Sequence, residues 1–166
     1  QILQPSFHLL EVAAGTCILS RTLSKYVQHI TALDMTPGML QKGKEKADEE
    51  GITNITFELG DAENTQFKDN IFDVVFCRWT LHHVKNVQKF VTEMARVCKK
   101  GGHVVIIDLE SPENKKIADH MNHLERLRDH SHAYCVTPSS FLKFLENDLN
   151  LKIMKRTFHK NGFLFH

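Results

Sequence analysis

No CxxC pair, no long apolar run and no one-sided charge occur in these 166 residues, and each absence removes a class of protein. The four cysteines, Cys17, Cys77, Cys98 and Cys135, lie far apart. A small secreted disulfide scaffold packs its cysteines more densely, so free thiols in a reducing cytoplasm are expected. No stretch reaches the ~20 apolar residues of a membrane-spanning helix, and none reads as a secretory h-region. Lysines alternate with acids, as in Lys42-Gly43-Lys44-Glu45-Lys46, and the formal net charge is only +1. Electrostatic nucleic-acid binding therefore has no footprint. Internal repeats and low-complexity tracts are also missing. What remains, 42% hydrophobic and 25% charged residues, is ordinary globular composition, and the length suits one core rather than two. Residues 1–166 thus read as a single domain. The chain enters its first strand within a few residues of Gln1, so a further N-terminal segment is expected before it in the whole protein.

Strand and helix signals alternate almost throughout. Phe7 to Ala13 is a short apolar run ending in an Ala-Ala-Gly turn, hence a buried strand. Ile18, Leu19, Leu23 and Tyr26 recur at helical spacing. His29 to Asp34 reads as a second strand. Thr36-Pro37 follows as N-cap and N1 of a helix with Leu40, Gly43 and Ala47 on its inner face. Asn54 to Leu59 and Phe72 to Cys77 are the third and fourth strands. Asn86 can cap a helix whose stripe is Val87, Phe90, Val91, Met94 and Val97. Lys99, Lys100, Gly101 and Gly102 supply its basic end and glycine stop. His103 to Leu109 is the fifth strand, and Ile117, Met121, Leu124 and Leu127 mark another helix. Thr137-Pro138 opens the next, and Leu151 to Phe158 reads as a sixth strand. This rhythm predicts an α/β fold, a doubly wound and mostly parallel sheet covered on both faces. Ligands of such sheets bind beyond the carboxyl ends of the strands, where strand order reverses.

The strand ends therefore carry the functional signal. The first ends in Glu11-Val12-Ala13-Ala14-Gly15-Thr16-Cys17, a small-residue turn that lets backbone approach a ligand and aim free N–H groups at it. Asp34 closes the second strand, 23 residues beyond Glu11, where nucleotide-binding folds place an acid on ribose hydroxyls. The third ends in Gly60-Asp61-Ala62, an acid suited to an exocyclic adenine amine. A dinucleotide-dependent oxidoreductase uses the same architecture and stays open at this point. Its fingerprint wants small residues at the first, third and sixth positions of the turn, and the sixth here is Ile18.

Glu11 to Cys17, Leu33-Asp34-Met35-Thr36-Pro37-Gly38-Met39-Leu40, Gly60-Asp61-Ala62 and Phe72-Asp73-Val74-Val75-Phe76-Cys77 resemble successive motifs of class I S-adenosylmethionine (SAM) dependent methyltransferases. The likeness is greatest to the ubiquinone/menaquinone C-methyltransferase-like group. Arg96 to Gly102, leading into the fifth strand, is similar as well. The resemblance runs from Leu9 to Leu109 and more loosely beyond. It implies a Rossmann-like seven-stranded sheet of order 3-2-1-4-5-7-6 with the last strand antiparallel; Gly162 to His166 is too short for a full final strand, so a fold incomplete at both termini is expected. It also implies SAM as cofactor. Glu11, Ala13, Ala14, Gly15 and Cys17 would meet its methionine end, Asp34 its ribose and Met35 one adenine face. Asp61 and Ala62 would meet the adenine edge, and Cys77 and Arg78 the methionine moiety through backbone groups. The family usually has glycine at positions 13 and 17. Cys17 is expected to pack into the sheet–helix interface rather than crowd the cofactor or act as a thiol nucleophile.

Methyl transfer from a sulfonium needs alignment, desolvation and, for a protonated acceptor, a base. His82 and His83, after the fourth strand, are the candidate bases. Arg126, Arg128, Asp129, His130, His132 and Tyr134 stand where an acceptor would be bound. His120 and His123 are expected to flank a buried Met121/Leu124 stripe in solvent, so no metal is expected. A small-molecule acceptor is expected, with carbon, nitrogen and oxygen all open as the receiving atom, and no nucleic-acid or membrane partner. The oligomeric state is left open. A SAM-binding module without turnover is the alternative of another class. A lid segment before Gln1 is expected to close the site.

Overall fold

Alternating apolar runs fold here into parallel strands because each connection is a helix that can cross back over the sheet. The structure is a computed structural model and describes residues 3–157. Its strands are β1 His8–Val12, β2 His29–Asp34, β3 Ile55–Leu59, β4 Phe72–Arg78 and β5 Cys98–Ile107. They form one sheet of order β3-β2-β1-β4-β5, and every pairing is parallel. All five carboxyl ends therefore open on one side. The order reverses between β1 and β4, which makes the space beyond Val12 and Arg78 the switch point.

The helices are α1 Ile18–Leu23, α2 Pro37–Glu49, α3 Val87–Val97, α4 Lys115–Arg128 and α5 Pro138–Lys143. On β1, Leu9 packs with Ile30, Val74 and Phe76 beneath Leu19 and Leu23 of α1. Leu10 and Val12 face the other way, into a core with Phe90, Val91, Met94 and Val97 of α3. Successive residues of a strand point to opposite faces, so two apolar neighbours feed two cores. Each fully buried Leu, Ile or Phe contributes roughly 1.5–3 kcal/mol. Three layers result. α2 buries Leu40, Gly43 and Ala47, and Asn86 caps α3 by accepting from Lys89 N–H.

Three expectations change. β5 runs Cys98–Ile107, not His103 to Leu109. Lys99 to Gly102 are strand residues, not a helix stop, because Cys98 already pairs with Phe72. The register slips between Phe72 and Val74, and Gly101 takes the left-handed φ of +78° beside that irregularity, as a bulge glycine does. Residues 151–157 carry no strand. Phe158 and the stretch Gly162 to His166, where the sheet's last strand would follow, lie outside the described residues. Finally, α4 buries Ala118 and Asn122 rather than its Met121/Leu124 stripe. Ile117, Leu124 and Leu127 are exposed, while the inward Asn122 is bonded to His132 and Cys135 of the segment that follows α4.

The loop between β3 and β4 is held to α3 by ions. Glu93 accepts from Arg96 Nη2 at 2.6 Å, from Arg96 Nε at 2.7 Å and from both Thr65 N–H and Thr65 Oγ1. These donors, the Arg96 guanidinium first, pull the Glu93 carboxyl down to about 2. A folded-state value below the unfolded one stabilises above pH 4–5 and is lost as pH falls towards 2. Glu93→Gln should therefore cost about 2 kcal/mol at pH 7, after discounting for solvent screening. Thermal unfolding from pH 7 to pH 3 should show the gap between wild type and variant shrinking steadily below pH 4.5. A constant gap would show that the ion pairs do not set it.

Candidate functional site

The turn after β1 is the most distorted backbone in the fold. Ala13, Gly15 and Cys17 have φ of +53°, +54° and +56°, so left-handed residues recur at every second position. Such residues cost roughly 1–2 kcal/mol each unless glycine supplies them. The turn ends with Cys17 as N-cap of α1. A Cβ built on Gly15 meets nothing within 4 Å, so the space over the turn is open.

Asp34 holds this turn in place. One carboxylate oxygen accepts from Gly15 N–H at 2.7 Å and the other from Thr36 N–H at 2.8 Å. Ala14 N–H also donates to the Leu33 carbonyl, and Gly60 N–H to the Asp34 carbonyl. Thr36 occupies the N-cap position of α2, but its hydroxyl caps nothing. Asp34, expected from the sequence to meet a ribose, thus does structural work in the turn. Asp61 accepts from Glu63 N–H through Oδ1 and is otherwise exposed. Met35 is 75% exposed, while Ala62 packs against the core.

Glu11 is buried below the turn and accepts from the Ser20 backbone N–H and hydroxyl. Burial, opposed by those bonds and by Arg78, raises its carboxyl to about 7. Cys17 is fully buried with Ala14, Ala32 and Leu40. Its Sγ packs on α2 at Gly43, where an added Cβ would come within 2.8 Å of the sulfur. Burial, then the charges of Glu11 and Asp34, raise the thiol to about 12, so it stays protonated and unreactive. Cys77 is sealed in the core, whereas Arg78 is exposed with its guanidinium over the Trp79 ring. Trp79 itself has φ +57°, an unusual strain for a bulky residue at the mouth of a site.

The two candidate histidines separate. His83 is only half-buried and contacts Ser131 Oγ through Nδ1. His82 is buried, with Nδ1 2.5 Å from Asp108 Oδ1. Asp108 lies just past β5 and was not among the residues singled out from the sequence. The same rule that found Asp34 and Asp61, an acid closing a strand, points to it. Its other oxygen accepts from Thr80 and Leu81 N–H at 2.6 Å each, and Leu109 N–H donates to Oδ1.

Of the expected acceptor cluster, the structure brings His132 to this place, with its ring centroid 5.7 Å from that of His82. Tyr134 N–H and Ala133 N–H donate to the His82 carbonyl. Arg126 reaches only the Ala133 carbonyl, Arg128 pairs with Glu125, Asp129 accepts from Ser131, and His130 is exposed. Among the described residues no group of three or more His, Cys, Asp or Glu is arranged to hold a metal ion.

Residues 10–106 match the family described as "Methyltransferase domain". The chain belongs to that methyltransferase family. It is 38% identical over 124 residues to an uncharacterized methyltransferase, YcgJ, of Bacillus subtilis, covering 75% of this chain and 49% of that protein. It is 36% identical over 104 residues to the ubiquinone/menaquinone biosynthesis C-methyltransferase UbiE of Zymomonas mobilis, covering 61% and 43%. The chain therefore spans about half the length of these relatives. The crystal structure of the B. subtilis YcgJ protein superimposes with a TM-score of 0.84 at 33% identity, over 87% of this chain and 62% of that one.

As a member of this family, the chain has its left-handed residues at 13, 15 and 17, a two-residue step unlike the dinucleotide fingerprint, which sets the oxidoreductase reading aside. Methyltransferase turns that carry glycine at 17 avoid the strain that Cys17 bears here. Two terms therefore oppose each other in Cys17→Gly: relief of about 1–2 kcal/mol of left-handed strain, and loss of a buried side chain. The variant should change stability little. Gly43→Ala should cost about 1–3 kcal/mol by overpacking against the sulfur and the Thr16 backbone. Urea unfolding of the double variant should show at least about 1 kcal/mol of that cost recovered. Strict additivity would mean that the two positions do not share one space.

Proposed function

We propose that the chain is the SAM-binding core of an enzyme that transfers the SAM methyl group to a small organic acceptor. The carrying observation is the open, left-handed turn at 13–17, clasped by Asp34 at the switch point of a parallel sheet. Its residues suit the cofactor's parts. Each carboxylate oxygen has two lone pairs, so Asp34, after serving Gly15 and Thr36, can still accept from two ribose hydroxyls. Asp61 keeps one oxygen for the adenine amine beside Ala62, and exposed Met35 can cover an adenine face. The turn and Glu11 would bound the methionine end, with Cys77 and Arg78 offering backbone groups. When bound, the cofactor supplies a methyl group already activated on a sulfonium; the protein's part is to align the acceptor and exclude water.

Relatives named for ubiquinone and menaquinone biosynthesis support an organic acceptor rather than a macromolecule. Four buried cysteines without disulfides support a reducing compartment such as the cytoplasm.

Asp34→Ala should weaken S-adenosylhomocysteine binding at least about tenfold, the worth of one net charge-assisted hydrogen bond. Calorimetry on a variant shown by circular dichroism to be folded reads this directly, and unchanged affinity would remove Asp34 from the site.

A further inference from the structure

At the carboxyl ends of the neighbouring strands β4 and β5, a carboxylate and an imidazole are buried together with their geometry fully determined. Asp108 accepts four hydrogen bonds: three backbone N–H groups and His82 Nδ1. Three of these donors are backbone N–H groups, so Asp108 stands as the acceptor, which puts a hydrogen on His82 Nδ1 and makes Nε2 the ring nitrogen left to hold a lone pair. Nε2 has no partner among the described residues. The His82 ring as a whole is only 4% exposed. An imidazole is therefore held in one orientation beside the switch point, with its Nε2 left unpartnered among the described residues.

The neighbouring ring is arranged not to compete. Asn122 Nδ2 donates to the Ala118 carbonyl and its Oδ1 accepts from Cys135 N–H. That orientation makes His132 Nε2, 2.8 Å from Oδ1, the donor. Burial, then the nearby His82, push the His132 imidazole below its ordinary value and so disfavour its charged form. His132 therefore adds little positive charge against an imidazolium forming at His82; the other titratable ring against it is His83, with its centroid 4.0 Å away, and Arg126 is the cation on the His132 side.

We propose that His82 is the general base of the methyl transfer, that Asp108 is its positioning residue, and that the acceptor is a phenol-class hydroxyl compound. The proposal rests on the methyl-transfer reading above. His82 Nε2 takes the hydroxyl proton, and the acceptor oxygen uses the freed electron pair to bond the methyl carbon. The carbon–sulfur bond breaks with its pair left on sulfur, giving S-adenosylhomocysteine. The imidazolium, stabilised by Asp108, returns its proton to solvent. Chemistry selects the class. A neutral amine already has a lone pair and can shed its proton after attack. Phenols ionise near 10, within roughly 4 units of a free imidazole, whereas an alkanol lies near the ~16 of water, too far for this base.

Two measurements test it on the full chain. In histidine 15N spectra at pH 8, wild-type His82 should show Nδ1–H with a bare Nε2. In Asp108→Asn the amide oxygen must serve Thr80 and Leu81 N–H, which turns the NH2 towards the ring and should move the hydrogen to Nε2. A wild-type Nε2–H tautomer overturns the dyad. With SAM and catechol as probe at pH 7, His82→Gln should lose about hundredfold or more in kcat, with S-adenosylhomocysteine affinity unchanged. The loss should shrink as pH approaches catechol's own ionisation, and thiophenol, ionised without help, should be methylated alike by variant and wild type. A pH-independent loss, an equal loss with thiophenol, or a wild type that binds S-adenosylhomocysteine yet leaves catechol unmethylated each overturns the proposal. Failure of the wild type to bind S-adenosylhomocysteine would instead overturn the methyl-transfer reading, whatever tautomer His82 shows.

Discussion

The Asp34 carboxylate is the contact on which the rest of the site depends. A parallel sheet brings strand ends to one side, but it does not by itself hold the loops that leave them. Asp34 accepts from Gly15 N–H on one side and Thr36 N–H on the other, so one side chain ties the β1 turn to the start of α2. Backbone bonds from Ala14 to Leu33 and from Gly60 to Asp34 continue the seam across three strands. Left-handed backbone at 13, 15 and 17 is affordable only because this seam and the buried Cys17 over-determine it.

A second seam mirrors the first on the other side of the switch point. Asp108 gathers the N–H groups of Thr80, Leu81 and Leu109 and orients His82. The segment after α4 is then pinned to the His82 carbonyl by Ala133 and Tyr134. Polar anchoring of this kind explains why α4 turns Ala118 and Asn122 inward and leaves its larger apolar residues exposed. The two sides of the switch point are thus built alike: an acid at a strand end collects backbone donors from the neighbouring loop.

Cys17 and Gly43 show how a departure from a family pattern is absorbed. A side chain at position 17 has to go somewhere, and the missing side chain at 43 leaves room for its sulfur on α2. The thiol is directed away from the turn's open face, which leaves that face as clear as a glycine would.

Much of the fold was legible in the chain. β2 falls on the expected residues His29–Asp34, and the inner face of α2 is the expected Leu40, Gly43 and Ala47, because burial periodicity is written locally in the order of side chains. Asp34 and Asp61 were legible as acids at the ends of the second and third strands, whereas Asp108, just past β5, was passed over. What the chain alone could not decide is anything that depends on residues far apart in sequence meeting. Register between Phe72 and Cys98 moved the start of β5, and polar contacts from His132 and Cys135 to Asn122 reversed the expected face of α4. Above all, His82 and His83 are neighbours in sequence and alike in chemistry. Only the pairing of β4 with β5 places Asp108 against one of them, and so makes His82 the oriented imidazole and His83 a half-buried neighbour.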